Sequence, residues 1–241
     1  MPRDQIFALP IEKIGQFTFD EEVVKVFPDM IRRSVPGYAS VLSMISVLGN
    51  RYCEPGTRAY DLGCSLGAGT FLLQQAIPGD CAIYAVDNSS SMLDELNSSL
   101  TQRPGISNVH TILADICDLD LQPARFVMMN WTMQFVPEAE REDLVAKIFR
   151  SLEPGGALML SEKIVAEDSG SRDLLIDLHH GFKAANGYSE LEIAQKRTSL
   201  ENLLVPETAE QHLQRLRSSG FDDVCIWFQC FNFASFLAVK K

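Results

Sequence analysis

The sequence predicts an α/β fold, with a mostly parallel sheet covered by helices on both faces and helical segments added outside it. Three observations carry this. From Arg58 onward, short apolar strand-like runs alternate with helical stretches, the pattern of successive βαβ units. Three of these runs end on an acid, at Asp61, Asp87 and Asp115. Between the first run and the next helical stretch lies the turn Gly63-Cys64-Ser65-Leu66-Gly67, whose glycines let the backbone fold back tightly.

Residues 1–55 precede the sheet and read as a helical N-terminal cap. They contain Phe19-Asp-Glu-Glu-Val-Val-Lys-Val-Phe-Pro-Asp-Met-Ile, followed by Ser34-Val-Pro-Gly-Tyr38, in which Pro36-Gly37 is a turn signal that presents Tyr38 at the next helix start. Ala59-Tyr60 leads into Asp61 as the first strand, Cys81-Ala-Ile-Tyr-Ala-Val into Asp87 as the second, and His110-Thr-Ile-Leu-Ala into Asp115 as the third. Arg125-Phe-Val-Met-Met-Asn-Trp supplies a fourth strand and Gly156-Ala-Leu-Met-Leu-Ser a fifth, after the turn Glu153-Pro-Gly-Gly. Between them Ala139 to Leu152 is amphipathic, with Leu144, Ile148 and Leu152 at helical spacing.

Residues 163–204 form an insertion after the fifth strand and read as a helical lid. Leu174 to Phe182 is one helix, Asn186-Gly187-Tyr188 interrupts it, and Ser189 with Glu192 predicts a capping box at the start of another. The C-terminal run Val224 to Val239 is β-forming, broken near Asn232, and suits a terminal antiparallel pair. The chain of 241 residues, 46% hydrophobic, is long enough for one well-buried core, and residues 1–241 are read as a single domain.

Composition narrows the function. With a net charge of -11 and no cluster of Lys and Arg, a small-molecule substrate is favoured over direct nucleic-acid binding; Lys183, Lys196 and Arg197 sit among acids in the sequence. No stretch is long enough for a membrane span, and Met1-Pro-Arg-Asp-Gln-Ile-Phe has no signal-peptide core, so a soluble, cytoplasmic protein is expected. The six cysteines are scattered without zinc spacing and read as reduced packing residues, with no metal expected. Adjacent His179 and His180 point about 100° apart on a helix and read as structural or surface residues.

The motif chemistry points to a nucleoside-bearing ligand. Ser65 replaces the middle glycine of the dinucleotide fingerprint, which argues against a pyrophosphate. Asp87, followed by Asn88, can take both ribose hydroxyls; Asp115 with Ile116 can accept from an adenine amino group and pack on its ring. One such acid could be a simple helix or turn cap, but three in order argue for a site. Asn130 closes the fourth strand.

This succession over roughly residues 55–165 resembles the class I S-adenosylmethionine-dependent methyltransferases. The resemblance implies a Rossmann-like class I methyltransferase fold: a mostly parallel seven-stranded sheet with an antiparallel C-terminal strand. Asn130 is followed by Trp131-Thr-Met-Gln-Phe, which departs from the Asn-Pro-Pro-Tyr motif of base amino methylation.

The appendages are more specific. Phe27-Pro-Asp-Met-Ile, Arg33-Ser-Val-Pro-Gly-Tyr38, Ser161-Glu-Lys, Phe182-Lys, Ala185-Asn-Gly-Tyr-Ser-Glu-Leu-Glu-Ile, Gln195-Lys-Arg197 and Trp227-Phe-Gln-Cys-Phe-Asn-Phe resemble the carboxy-S-adenosyl-L-methionine synthases of bacterial tRNA wobble-uridine modification. That family carboxylates the methyl carbon of S-adenosyl-L-methionine with prephenate, releasing phenylpyruvate and water. It is homodimeric and hands carboxy-S-adenosyl-L-methionine to a separate tRNA carboxymethyltransferase. The resemblance implies ligand contacts at Tyr38, Gly63, Cys64, Ser65, Asp87, Asn88, Asp115, Ile116 and Asn130, and places Arg197 at the new carboxylate as the catalytic counter-charge. The residues by themselves leave two other readings open, a small-molecule methyltransferase and a non-catalytic nucleoside-binding module.

Overall fold

A computed structural model describes residues 2–103 and 105–241. Two helices, α1 (Glu21–Ser34) and α2 (Tyr38–Tyr52), lead into β1 (Arg58–Leu62), α3 (Ala68–Ala76), β2 (Ala82–Asp87), α4 (Ser90–Thr101), β3 (Val109–Leu113) and β4 (Ala124–Asn130). A short 3-10 turn (Met133–Phe135) and α5 (Glu138–Ser151) precede β5 (Leu152–Val165). The chain continues through α6 (Ser169–Ala185), α7 (Glu190–Leu200), β6 (Glu207–Thr208), α8 (Ala209–Ser218), β7 (Asp223–Cys230) and β8 (Phe233–Val239).

The strands run in the order β3-β2-β1-β4-β5-β8-β7, with β6 paired to β5 off this path. Pairings from β3 through to β5 are parallel, and β8 lies antiparallel between β5 and β7. The expected seven strands are therefore present, with a two-residue eighth, β6, on Ile164 and Val165 at the long end of β5. Leu152 pairs with Ala124 and Ala157 with Phe126, so Glu153-Pro-Gly-Gly loops out as a bulge within β5 rather than preceding it. Because β5 runs on to Val165, Lys163 is still a strand residue; the lid begins after it.

Alternation along β4 assigns the two faces. Phe126 and Met128 meet Val41, Ile45 and Leu73 of α2 and α3, whereas Val127 and Met129 meet Leu144, Ile148 and Leu216 of α5 and α8. A buried ion triad fastens the second face: Glu207 lies 2.7 Å from Arg141 and 2.5 Å from Arg215.

The two appendages interlock. Gln195 of α7 donates to Phe7 O and Leu9 O, both at 2.9 Å, and accepts from Ile11 N at 2.7 Å. The Tyr188 hydroxyl donates to Asp4 at 2.5 Å, and the Arg33 guanidinium lies 3.8 Å over the Tyr188 ring. The expected capping box of Ser189 and Glu192 is present. Cys53, Cys64 and Cys81 are buried free thiols, but Cys225 is exposed on β7, so packing does not account for all six. Among the described residues, no helix is long and apolar enough to cross a membrane.

Candidate active site

In the strand order, β1 and β4 are neighbours whose onward connections run to opposite sides, β1 toward β2 and β4 toward β5. Such a switch point opens a crevice at the C-terminal ends of the strands. A cavity of about 440 Å³ lies there, within the range of small-molecule sites. Tyr38, Gly63, Cys64, Ser65, Asp87, Asn88, Asp115, Ile116 and Asn130 all line it.

The turn after β1 is drawn across the end of β2. Gly63 N and Cys64 N donate to Val86 O at 2.8 and 2.9 Å, and Gly63 takes φ +81°. A Cβ on Gly63 would sit 2.1 Å from Thr132 Oγ1 and 2.5 Å from Thr132 Cγ2, so only glycine fits between this turn and the segment after β4. Ser65 also has positive φ, +50°, and its N–H donates to Asp87 Oδ2 at 2.8 Å; Ser89 N donates to Asp87 Oδ1 at 2.9 Å. Asp87 is thus fixed by backbone donors, and burial raises its carboxyl above the ordinary range despite them. Asp61 is buried at the end of β1 and accepts from the Thr70 hydroxyl at 2.6 Å. Burial pushes its pKa up to about 7, partly offset by that hydrogen bond.

Asp115 remains exposed and accepts from Cys117 N at 2.8 Å, while Ile116 is buried beside it. Tyr38 packs on Trp131 with ring centroids 5.2 Å apart, and burial raises its hydroxyl to about 12. Asn130 Oδ1 is buried without a hydrogen-bond partner. A buried, unpaired acceptor at the cavity wall fits a ligand donor such as an ammonium or hydroxyl group.

Glu162 in β5 shapes the site from behind, a part that sequence reasoning did not assign to it. Its Oε1 accepts from Thr132 N at 3.1 Å and Met133 N at 2.8 Å, and its Oε2 from Gln134 N at 3.1 Å. Burial pushes its pKa up to about 8 against the pull of these donors and of Arg141. Every one of those contacts is made as an acceptor, so the carboxylate form matches the backbone around it. The Ser161-Glu-Lys motif accordingly divides its work: Ser161 O accepts from Trp131 N, Glu162 holds the segment after β4, and Lys163 lines the cavity.

The far end of the cavity was also hidden in the sequence. Lys163, His179, Lys183 and Lys196 line it, from β5, α6 and α7. Of the acids near them in sequence, Asp173, Asp177 and Glu190 are exposed, and Glu162 is buried with its carboxylate turned to the segment after β4. Of the two adjacent histidines, His179 is buried, with Nε2 2.8 Å from Ser34 O and its ring centroid 5.0 Å from that of Phe233. Burial and Lys183 lower its pKa to about 3, so it is neutral at physiological pH. Arg197 differs from the other expected contacts: it is exposed and outside the cavity wall, while its neighbour Lys196 faces in.

A methyltransferase-domain family model matches residues 59–156. A carboxy-S-adenosyl-L-methionine synthase from Aliivibrio fischeri is 50% identical over 238 residues, covering 98% of each chain. Its counterpart from Vibrio cholerae is 49% identical over 240 residues, covering 99% of this chain and 98% of the other.

The chain belongs to the carboxy-S-adenosyl-L-methionine synthase family.

Solved structures agree on the fold. A phosphoethanolamine N-methyltransferase 2 from Haemonchus contortus superposes with TM-score 0.67 at 15% identity, over 94% of this chain and 60% of that one. A methyltransferase-like protein from Methanococcus maripaludis gives 0.62 at 17% identity, over 96% and 97%. The class I methyltransferase fold is thus shared widely, whereas the carboxy-S-adenosyl-L-methionine synthase family is matched over nearly the whole chain, cap and lid included.

Proposed function

We propose that this protein forms carboxy-S-adenosyl-L-methionine from S-adenosyl-L-methionine and prephenate, with phenylpyruvate and water as the other products. Full-length similarity that includes both appendages is the observation that supports this most, since a sheet alone would suit many methyltransferases. In this reading Asp87 and Asn88 hold the ribose, Asp115 and Ile116 the adenine, and Gly63 to Ser65 the backbone approach to the amino-acid moiety. Asn130 and Tyr38 flank the sulfonium side, and Asn130 Oδ1 supplies an unused acceptor there.

The chemistry balances without an external oxidant. Prephenate loses its ring carboxyl and ring hydroxide as the ring becomes aromatic; the hydroxide takes a proton from the sulfonium methyl and leaves as water. A C–H bond at that carbon is replaced by a C–C bond to the released carboxyl. The protein's task is positioning and exclusion of water, which the interlocked cap and lid are suited to provide.

Arg197 is the proposed counter-charge for the new carboxylate. Two like charges about 4 Å apart repel by about 4 kcal/mol at an effective dielectric near 20, so a guanidinium beside a sulfonium requires an anion between them. Its exposure in the isolated chain is compatible with a proposed homodimer in which that face of α7 is covered. We place the enzyme in the cytoplasm, with its product passed to a separate tRNA carboxymethyltransferase.

Incubation of purified protein with S-adenosyl-L-methionine and prephenate, followed by mass spectrometry, should yield a nucleoside heavier by one carboxyl group. Transfer of the intact methyl to an acceptor would instead select a small-molecule methyltransferase. Tight binding with neither product would select a binding module.

A further inference from the structure

Following the C-terminal edge of the sheet in strand order, β3, β2, β1, β4 and β5 present Asp115, Asp87, Asp61, Asn130 and Lys163 in turn. The cavity therefore changes from acidic to neutral to cationic along its length, with strands about 4.8 Å apart. At the cationic end Lys183 of α6 and Lys196 of α7 join Lys163, and among the described residues the cavity wall carries no carboxylate besides Asp61, Asp87 and Asp115. Spacing on α6 explains the orientation: His179 and Lys183 are four apart and share the buried face, while Asp173 and Asp177 share an exposed one.

The three lysines are not equally engaged. Lys196 Nζ donates to Ser34 Oγ at 3.2 Å and lies 5.8 Å from the Tyr188 ring. Among the described residues no ion pair joins Lys163, Lys183 or Lys196 to an acid. The Asp4 carboxylate acts on Lys196 from outside the cavity wall, whereas among the described residues no acid offsets Lys163 or Lys183. Enclosing ammonium groups together without a counter-ion is unfavourable, and an anionic ligand removes that penalty.

We propose that Lys163 and Lys183, supported by Lys196, bind the two carboxylates of a dicarboxylate co-substrate at this end of the cavity. This rests on the function proposed above and adds residues to it: prephenate is such a dianion, and its ring carboxyl must lie toward the sulfonium. The adjacent cations also explain how a doubly charged donor is selected over its monocarboxylate product. Release of phenylpyruvate follows from the loss of one of the two carboxylates.

The site has a proton signature. Burial, then Lys196, Lys163 and Arg197, lower Lys183 to about 7, and burial with Arg197 lowers Lys163 as well. Lys183 is therefore partly deprotonated near pH 7, and a bound carboxylate favours the charged form, so binding is accompanied by proton uptake. The groups facing Lys183 are Lys163, Lys196, Arg197, His179 and His180; of these the two histidines are lowered and stay neutral there.

The test uses the full chain and the variants Lys163→Met, Lys183→Met and Lys183→Arg. Both methionine variants should raise KM for prephenate by about tenfold or more and leave the dissociation constant for S-adenosylhomocysteine within about twofold of the parent. Lys183→Arg should recover most of the loss. Calorimetry of prephenate binding to the S-adenosylhomocysteine complex, in buffers of different ionisation enthalpy at pH 7, should show proton uptake by the parent that Lys183→Met abolishes. Parent-like KM, or equal loss of both ligands, would overturn the assignment. A parent enzyme that binds prephenate with this signature yet forms no carboxylated product would refute the function while upholding the anion site.

Discussion

Gly63→Ala puts the cradle between β1 and the segment after β4 under a defined load. Alanine at φ +81° costs about 1–2 kcal/mol for left-handed backbone, and its methyl would meet Thr132 Oγ1 at 2.1 Å. Thr132 has little room to yield, because its N–H is held by Glu162 at 3.1 Å and its hydroxyl donates to Asn130 O at 3.2 Å. Overpacking of this kind adds about 1–3 kcal/mol, for a total of about 2–5 kcal/mol. Gly56 supplies the control: its φ is +74° and nothing lies within 4 Å of an added Cβ, so Gly56→Ala should lose only the backbone part. Urea unfolding should separate the two variants by at least about 1 kcal/mol, and calorimetry should show S-adenosylhomocysteine binding weakened about tenfold or more in Gly63→Ala alone. Equal unfolding midpoints and unchanged affinity in both would refute the idea that Gly63 is required for space.

Asp61 makes ligand affinity depend on pH. Its raised pKa of about 7 means that it is protonated below that value in the free protein, and a cationic ligand favours its carboxylate. Affinity for S-adenosyl-L-methionine should therefore fall as pH is lowered from about 8 to 6, by up to tenfold per unit below the pKa, and Asp61→Asn should flatten that slope. Glu207→Ala leaves Arg141 and Arg215 buried without their shared partner and should cost about 3–5 kcal/mol, seen as a melting temperature lower by about 10 °C. Burial works against the ionised Glu207, but Arg215 and Arg141 hold its carboxyl below the ordinary range. Its stabilisation is consequently present at neutral pH and lost as acid titrates it through that lowered value, so stability curves of parent and variant should converge at low pH.

The parts of this fold legible in the sequence are those written in local patterns. Asp61, Asp87 and Asp115 could be read as ligand-facing because each closes an apolar run, and the strand that carries Asn130 alternates its faces as a buried strand must. Lys163, Lys183 and Lys196 could not, because their meeting depends on where β5, α6 and α7 come to rest, and their sequence neighbours carry the opposite charge. The phase of α7 was hidden for a related reason: its apolar pattern is weak, so nothing local tells whether Lys196 or Arg197 turns inward. Glu162 looked like one more strand residue, since the three N–H groups it gathers lie about thirty positions earlier. Several motifs that carried the family resemblance, including Arg33, Asn186, Tyr188 and Gln195, are the residues that lock the appendages together.

The cap and lid are tied together by Asp4, Phe7 and Leu9 with Tyr188 and Gln195, which follow more than 180 residues later. A polypeptide leaving the ribosome therefore carries residues 4–9 unlatched until α7 has been synthesised, and β8 must still slot between β5 and β7 afterwards. The latch between cap and lid therefore forms only after α7 has emerged, so ligand capture that depends on it cannot come earlier.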